Sequence, residues 1–333
     1  MERRVGMITA FCLAAALSAC AGGGGGGGGP DGAGSVTQGP PPPPNPVVTN
    51  PGGGDDPNPP FPANAASFTS FAASPFPNPV AISGLGWSTT VSNYAAFAPT
   101  WSAAVGSEQI LTLSPDSAWL QTPSLTLAIH PRDGALDYGL PGAPFKTYAY
   151  PYSLMDGLKG VVFADARALG WNYQTFGWWW GIGGGQGPSW TVGSFSVGAA
   201  TPGASIPTAG SAVFNGRLAA TTWQGSVASA PADVSAPMTL SVNFASRSAA
   251  FASADWSIGP TTYAGTGLSG QLTYGSQQNA LSGVLTTANG QYSGPVAAQF
   301  FGPAAEEVGG AFVLAPSNDP LATRIVGGFG AKR

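Results

Sequence analysis

From about residue 168 onward, strand-length apolar runs recur at intervals of roughly ten residues, each closed by turn-forming residues. The stretch Leu240, Ser241, Val242, Asn243, Phe244 alternates strictly, so that every second side chain faces one side of a strand. Comparable runs lie at Asn172–Trp180, Ser189–Val197, Ser211–Leu218, Met238–Phe244, Ser248–Trp256, Leu268–Tyr274 and Ala280–Thr287. Gln291–Phe301, Ala311–Leu314 and Arg324–Phe329 follow. Turn residues such as Ser246-Arg247, Ser276–Asn279 and Asn289-Gly290 separate them. About eight to ten strands joined by tight hairpins favour a small antiparallel barrel, which leaves no exposed edges. A membrane-spanning barrel has the same alternation. Short strands broken by small residues and the charged pair Lys332-Arg333 argue against it.

Upstream the pattern is less regular. Val80–Ile82, Gln109–Leu113 and Ser124–Ile129 read as short strands between Pro and Gly turns, and Asp156–Ala168 reads as a strand or a link. The expected fold class is therefore all-β: a C-terminal barrel over 168–333, preceded by a smaller β-rich, handle-like domain over 63–167.

The first twenty residues have the plan of an export signal, with Arg3 and Arg4 ahead of a short apolar stretch from Val5 to Ala16. That stretch is shorter than the ~20 apolar residues a spanning helix needs. It ends in Leu17-Ser18-Ala19-Cys20, which resembles a bacterial lipobox and makes Cys20 the expected lipidation site, bearing palmitate-type acyl chains. An ordinary signal peptide containing a Cys is the alternative. Ala21 after the Cys favours, by analogy with other lipoproteins, an outer-membrane destination. Residues 21–62 contain the glycine run Gly22–Gly29 and the proline run Pro40–Pro44. Such a segment cannot bury enough apolar surface to order itself, and reads as a disordered tether with a span of roughly 35–40 Å.

Charge and cysteine content narrow the chemistry. Only 8% of the residues are charged, the net charge is −4, and no basic patch is visible, so nucleic acid is not an expected partner. Cys12 leaves with the signal and Cys20 carries lipid, so no disulfide is expected. The lone histidine, His130, cannot build a His-rich metal site. It reads as a turn residue or, alternatively, as an axial haem ligand. There is no G-x-S-x-G, phosphate loop or H-E-x-x-H, and no enzyme, metal or cofactor is expected. The run Trp178-Trp179-Trp180 has two readings. Its alternate faces either expose indole for a protein or glycan contact, or are covered on both sides within the fold.

The most specific pattern is Gln299-Phe300-Phe301-Gly302-Pro303-Ala304-Ala305-Glu306-Glu307-Val308-Gly309-Gly310-Ala311-Phe312, followed by Gly327-Gly328-Phe329-Gly330-Ala331-Lys332. Helix-capping chemistry gives it a structural reading. Pro303 opens a turn, Glu306 and Glu307 sit where the turn dipole favours acid, and Gly309 takes the left-handed cap. The pattern also resembles the barrel signature of the transferrin-binding protein B family, shared more loosely with factor H-binding protein. Phe301 stands where that family usually has Tyr. Asn172–Gly177, Thr201-Pro202, Ile206-Pro207 and Gly210–Ala212 carry the likeness upstream. The resemblance implies a lipid-anchored protein on the outer-membrane surface that binds a host or other extracellular protein, or haem, in iron acquisition. A platform that only displays its barrel within the envelope is the alternative. Those family members have two lobes, whereas this chain has one copy of the signature.

Overall fold

The computed structural model describes residues 65–73, 76–92, 100–114, 117–122, 126–129, 136–137, 145–149, 159–183, 189–223, 232–258, 260–318 and 323–333. The signal, Cys20, the glycine and proline runs and His130 lie outside the described residues.

Two β-sheets make up the fold. The first contains β1 (Ala66–Ser67), β2 (Val80–Ser92), β3 (Thr100–Trp101), β4 (Val105–Ser114), β5 (Ser117–Gln121) and β6 (Thr126–Ile129). It continues with β7 (Leu136–Asp137), β8 (Phe145–Ala149), β9 (Lys159–Ala164), β10 (Gln174–Gly183) and β11 (Ser189–Gly198). Its order is β6-β5-β4-β2-β11-β10-β9-β8-β7, with β1 and β3 also pairing β2. The sheet is open, and its edges β6 and β7 are consecutive in the chain.

The second sheet contains β12 (Ser211–Trp223), β13 (Ala232–Asn243), β14 (Ser248–Ser253), β15 (Trp256–Ile258) and β16 (Thr261–Tyr263). After these come β17 (Leu268–Thr273), β18 (Leu281–Thr287), β19 (Tyr292–Phe301), β20 (Glu307–Pro316) and β21 (Arg324–Lys332). β12, β13, β14, β17, β18, β19, β20 and β21 form a closed antiparallel ring, shut by the β12–β21 pairing. The β15–β16 hairpin hangs from β13. The expected all-β fold with a small closed barrel is what the chain adopts.

One expectation needs correction. The sequence placed the runs at 172–180 and 189–197 in the barrel, but β10 and β11 pair with β9 and β2 in the first sheet. The reason is closure: β12 and β21 satisfy each other's backbone along Asn215–Trp223, so the ring has no free edge for β11 to join.

The barrel is apolar inside and polar outside. In β13, Val234, Ala236, Met238, Leu240 and Val242 are buried, while Thr239, Ser241 and Asn243 face solvent. In β17, Leu268 and Leu272 are buried and Ser269, Gln271 and Thr273 are exposed. A membrane-spanning barrel needs an outward apolar band, so that alternative fails here. The interior is filled by side chains including Phe214, Phe251, Phe300, Phe312 and Phe329, all at most 2% exposed. Burying one such side chain contributes about 1.5–3 kcal/mol.

β20 and β21 depart from alternation. Every residue from Glu307 to Leu314 and from Arg324 to Ala331 is buried. Val308, Phe312 and Phe329 point into the barrel, whereas Val313 and Val326 join the core that contains Phe176, Trp178 and Trp179 of the first sheet. The first sheet thus covers the outside of these two strands. The tryptophan run belongs to that core: Trp178 and Trp179 are buried and Trp180 half-buried, so coverage within the fold is the reading that holds.

Candidate functional site

The signature residues lie where β19 turns into β20. Phe300 points into the barrel, with its ring 5.5 Å from Tyr274, 6.0 Å from Phe244 and 6.1 Å from Phe214. The next residue, Phe301, is equally buried but faces outward, packing at Gly198 and bridging Ala200. The turn itself needs two left-handed residues, Gly302 at φ 90° and Ala305 at φ 62°. Pro303 is exposed at its tip. Gly309 is not the cap that capping chemistry suggested, because it lies inside β20 and pairs with Gln299 and Gly330. Nor do the two acids share one role. Glu306 folds back so that its carboxylate accepts from the Ala304 N–H at 2.8 Å.

Glu307 instead reaches across to the first sheet. It is 3% exposed, and its carboxylate accepts the backbone N–H groups of Asn172 at 2.6 Å and Tyr173 at 3.0 Å. Burial raises its pKa above the ordinary 4.5, and the backbone donors and the charge of Lys332 pull against that rise. Lys332 pairs with Glu307 across β20 and β21, and its ammonium donates to the Gly170 carbonyl at 2.8 Å. Acid and base therefore grip the same segment, 170–173, which leads into β10.

Glycines make the rest of this seam. A Cβ on Gly309 would lie 2.5 Å from Ser196 Oγ and 2.6 Å from Gln174 Oε1, and one on Gly330 would strike the Gln174 amide and the Trp171 ring. A Cβ on Gly328 would lie 3.0 Å from the Phe176 ring. Ser194 Oγ donates to the Phe312 carbonyl at 3.0 Å across the same interface. Asn279 braces the turn, donating to the Thr201 and Phe300 carbonyls and accepting the Phe300 N–H.

Beside the seam, the first sheet and the barrel leave an open groove of about 510 Å³. Ser83, Leu85, Gly106 and Glu108 line it from β2 and β4, while Ala280, Ala297 and Gln299 line it from the barrel side. Glu108 is exposed, and the buried amide oxygen of Gln299 has no hydrogen-bond donor among the described residues. The groove is of the size that takes small molecules or a short peptide. Among the described residues no group of three His, Cys, Asp or Glu could hold a metal ion.

Residues 206–333 match the family of C-lobe and N-lobe beta barrels of Tf-binding protein B. The barrel is a transferrin-binding protein B-type barrel. Solved structures similar to this chain include a double mutant of the vaccine antigen Transferrin Binding Protein B from Haemophilus parasuis, at 16% identity and a TM-score of 0.43, over 75% of this chain and 44% of that one. Another is the isotype 1 Transferrin binding protein B from serogroup B Neisseria meningitidis, at 16% identity and a TM-score of 0.42, over 76% of this chain and 43% of that one. The chain thus spans less than half the length of these two relatives. No curated protein matches it.

In this transferrin-binding protein B-type barrel the signature is brought together as one structural unit. Phe300, Phe312 and Phe329 fill the interior, Gly309 and Gly330 admit the first sheet, and Lys332 grips it. Gly310 is also needed for close packing, since a Cβ there would meet the Phe329 ring at 2.6 Å. Sequence reasoning missed Gln174, Asn279 and the groove residues Glu108 and Gln299. Only Gln299 stood within a recognised pattern, and nothing in the spacing tied Glu108 to it, because 191 positions separate them.

Proposed function

We propose that this chain is a surface-exposed outer-membrane lipoprotein, held by acyl chains on Cys20, that binds an extracellular or envelope protein and catalyses no reaction. The observation that carries this reading is the transferrin-binding protein B-type barrel over 206–333, with a second sheet clamped to its outside. The barrel interior is packed with aromatic and aliphatic side chains, so a partner is met on the outer surfaces and not inside the ring. The sequence before residue 63 supports attachment at a distance from the lipid surface, through the tether that follows Cys20.

Two measurements test the reading. Labelled palmitate fed to cells producing the chain is expected to enter the protein, and Cys20→Ser is expected to abolish that labelling. Retained label in the variant would move the anchor elsewhere. The full chain is also expected to retain a defined protein, saturably, from serum or from an envelope extract, as identified by mass spectrometry. If neither source yields one, the binding role fails and the barrel is left as a display platform.

A further inference from the structure

The groove between β2, β4 and β19 carries a chemistry that the fold itself does not use. Its small residues, Gly106, Ala280 and Ala297, keep side chains out of the space, and Leu85 gives it an apolar patch. The side chains that could recognise a ligand strongly are acceptors. The Glu108 carboxylate is exposed within it, and the Gln299 amide oxygen is shut off from solvent without a donor among the described residues. No Lys or Arg lines the groove. Leaving a buried acceptor unsatisfied costs roughly 1–3 kcal/mol, so a donor arriving with a ligand recovers more here than it would on an open surface.

We propose that this groove receives an arginine side chain carried by an extended segment of a protein partner, with the guanidinium donating to the Glu108 carboxylate and to the Gln299 amide oxygen. The inference rests on the protein-binding reading above and names the chemistry of its contact. Arginine suits the site better than lysine because its planar fork offers five donors in fixed directions, enough to serve two separate acceptors at once. An ammonium is a compact, strongly hydrated charge that gives up more water to enter such a slot. The small lining residues leave width for the backbone of the segment, and the open form of the groove lets that segment continue on either side.

The test is a calorimetric titration of the full chain with a blocked Ser-Gly-Arg-Gly-Ser peptide and with its citrulline counterpart, which keeps the shape and loses the charge. The arginine peptide is expected to bind, and the citrulline peptide to bind at least about tenfold more weakly, as a charge-assisted pair requires. Glu108→Gln is expected to cause a similar loss for the arginine peptide, and because Glu108 is exposed the variant should fold normally. No binding by the arginine peptide, equal binding of both peptides, or indifference to Glu108→Gln would each overturn the proposal. Failure here is distinguishable from failure of the broader reading. A protein partner captured equally well by Glu108→Gln would remove the groove and keep the binding role. Selective peptide binding with no captured partner would do the reverse.

Discussion

Gly309 and Gly330 hold their places because the Gln174 side chain lies against both of them. Adding a methyl at Gly309 puts carbon 2.5 Å from Ser196 Oγ and 2.6 Å from Gln174 Oε1, and neither atom can move far in a fully buried seam. Gly309→Ala is therefore expected to destabilise by about 1–3 kcal/mol, read as a lowered denaturation midpoint. Val284→Thr, at a position 55% exposed on the barrel's outer face, should stay within about 0.5 kcal/mol of the parent. Glu307 gives a second, pH-dependent test. Replacing it by Ala strands the Asn172 and Tyr173 N–H groups and is expected to cost about 2–4 kcal/mol. Its raised pKa means that the folded protein holds the proton more tightly than the unfolded chain does. Its contribution is complete below the unfolded value near 4.5 and is lost as the pH rises through the folded value. Denaturant unfolding across that interval should show the parent losing stability relative to Glu307→Gln as pH increases. A parallel course for the two proteins would mean that the backbone donors outweigh burial.

At the level of strands, the sequence was most legible where one face meets water. β13, β14, β17 and β18 alternate because their outer faces are solvated, and they lie where the alternation predicted. β20 and β21 are covered on both faces, so their sequences carry Gly-Gly pairs and unbroken apolar runs in place of a period of two. The same double coverage hid the membership of β10. Its glycine and three tryptophans read equally well as a barrel wall or as part of the neighbouring sheet, and only the closure of β12 on β21 decides between them. The candidate groove was not legible at all, since its acceptors come from β4 and β19, which no local pattern connects. Two substitutions test this scale. Phe312→Ala empties a fully buried site inside the ring and is expected to cost about 3–5 kcal/mol. Asn279→Ala removes three hydrogen bonds that tie the approach to β18 onto β19 and Thr201. Its expected signature is faster amide exchange and earlier proteolytic nicking around 275–280, ahead of any global change.

Across the whole molecule, the two sheets share a core. Val313, Val326 and Ala219 of the barrel pack with Phe176 and Trp178 of the first sheet, and hydrogen bonds from 170–173 and Ser194 cross the same boundary. Differential scanning calorimetry of the full chain is accordingly expected to show one cooperative transition. Two separated transitions would mean that the seam contributes less than its burial implies.

The ring closes between β12 and β21, the first and last of its strands, with more than a hundred residues between paired positions such as Asn215 and Lys332. During synthesis or export, the earlier hairpins can form one by one as they emerge. The aromatic underside of the first sheet nevertheless stays bare until β20 and β21 arrive to cover it. The nascent chain therefore carries a long-lived sticky surface through its journey, and escort by a holding chaperone becomes a requirement that follows from strand order alone.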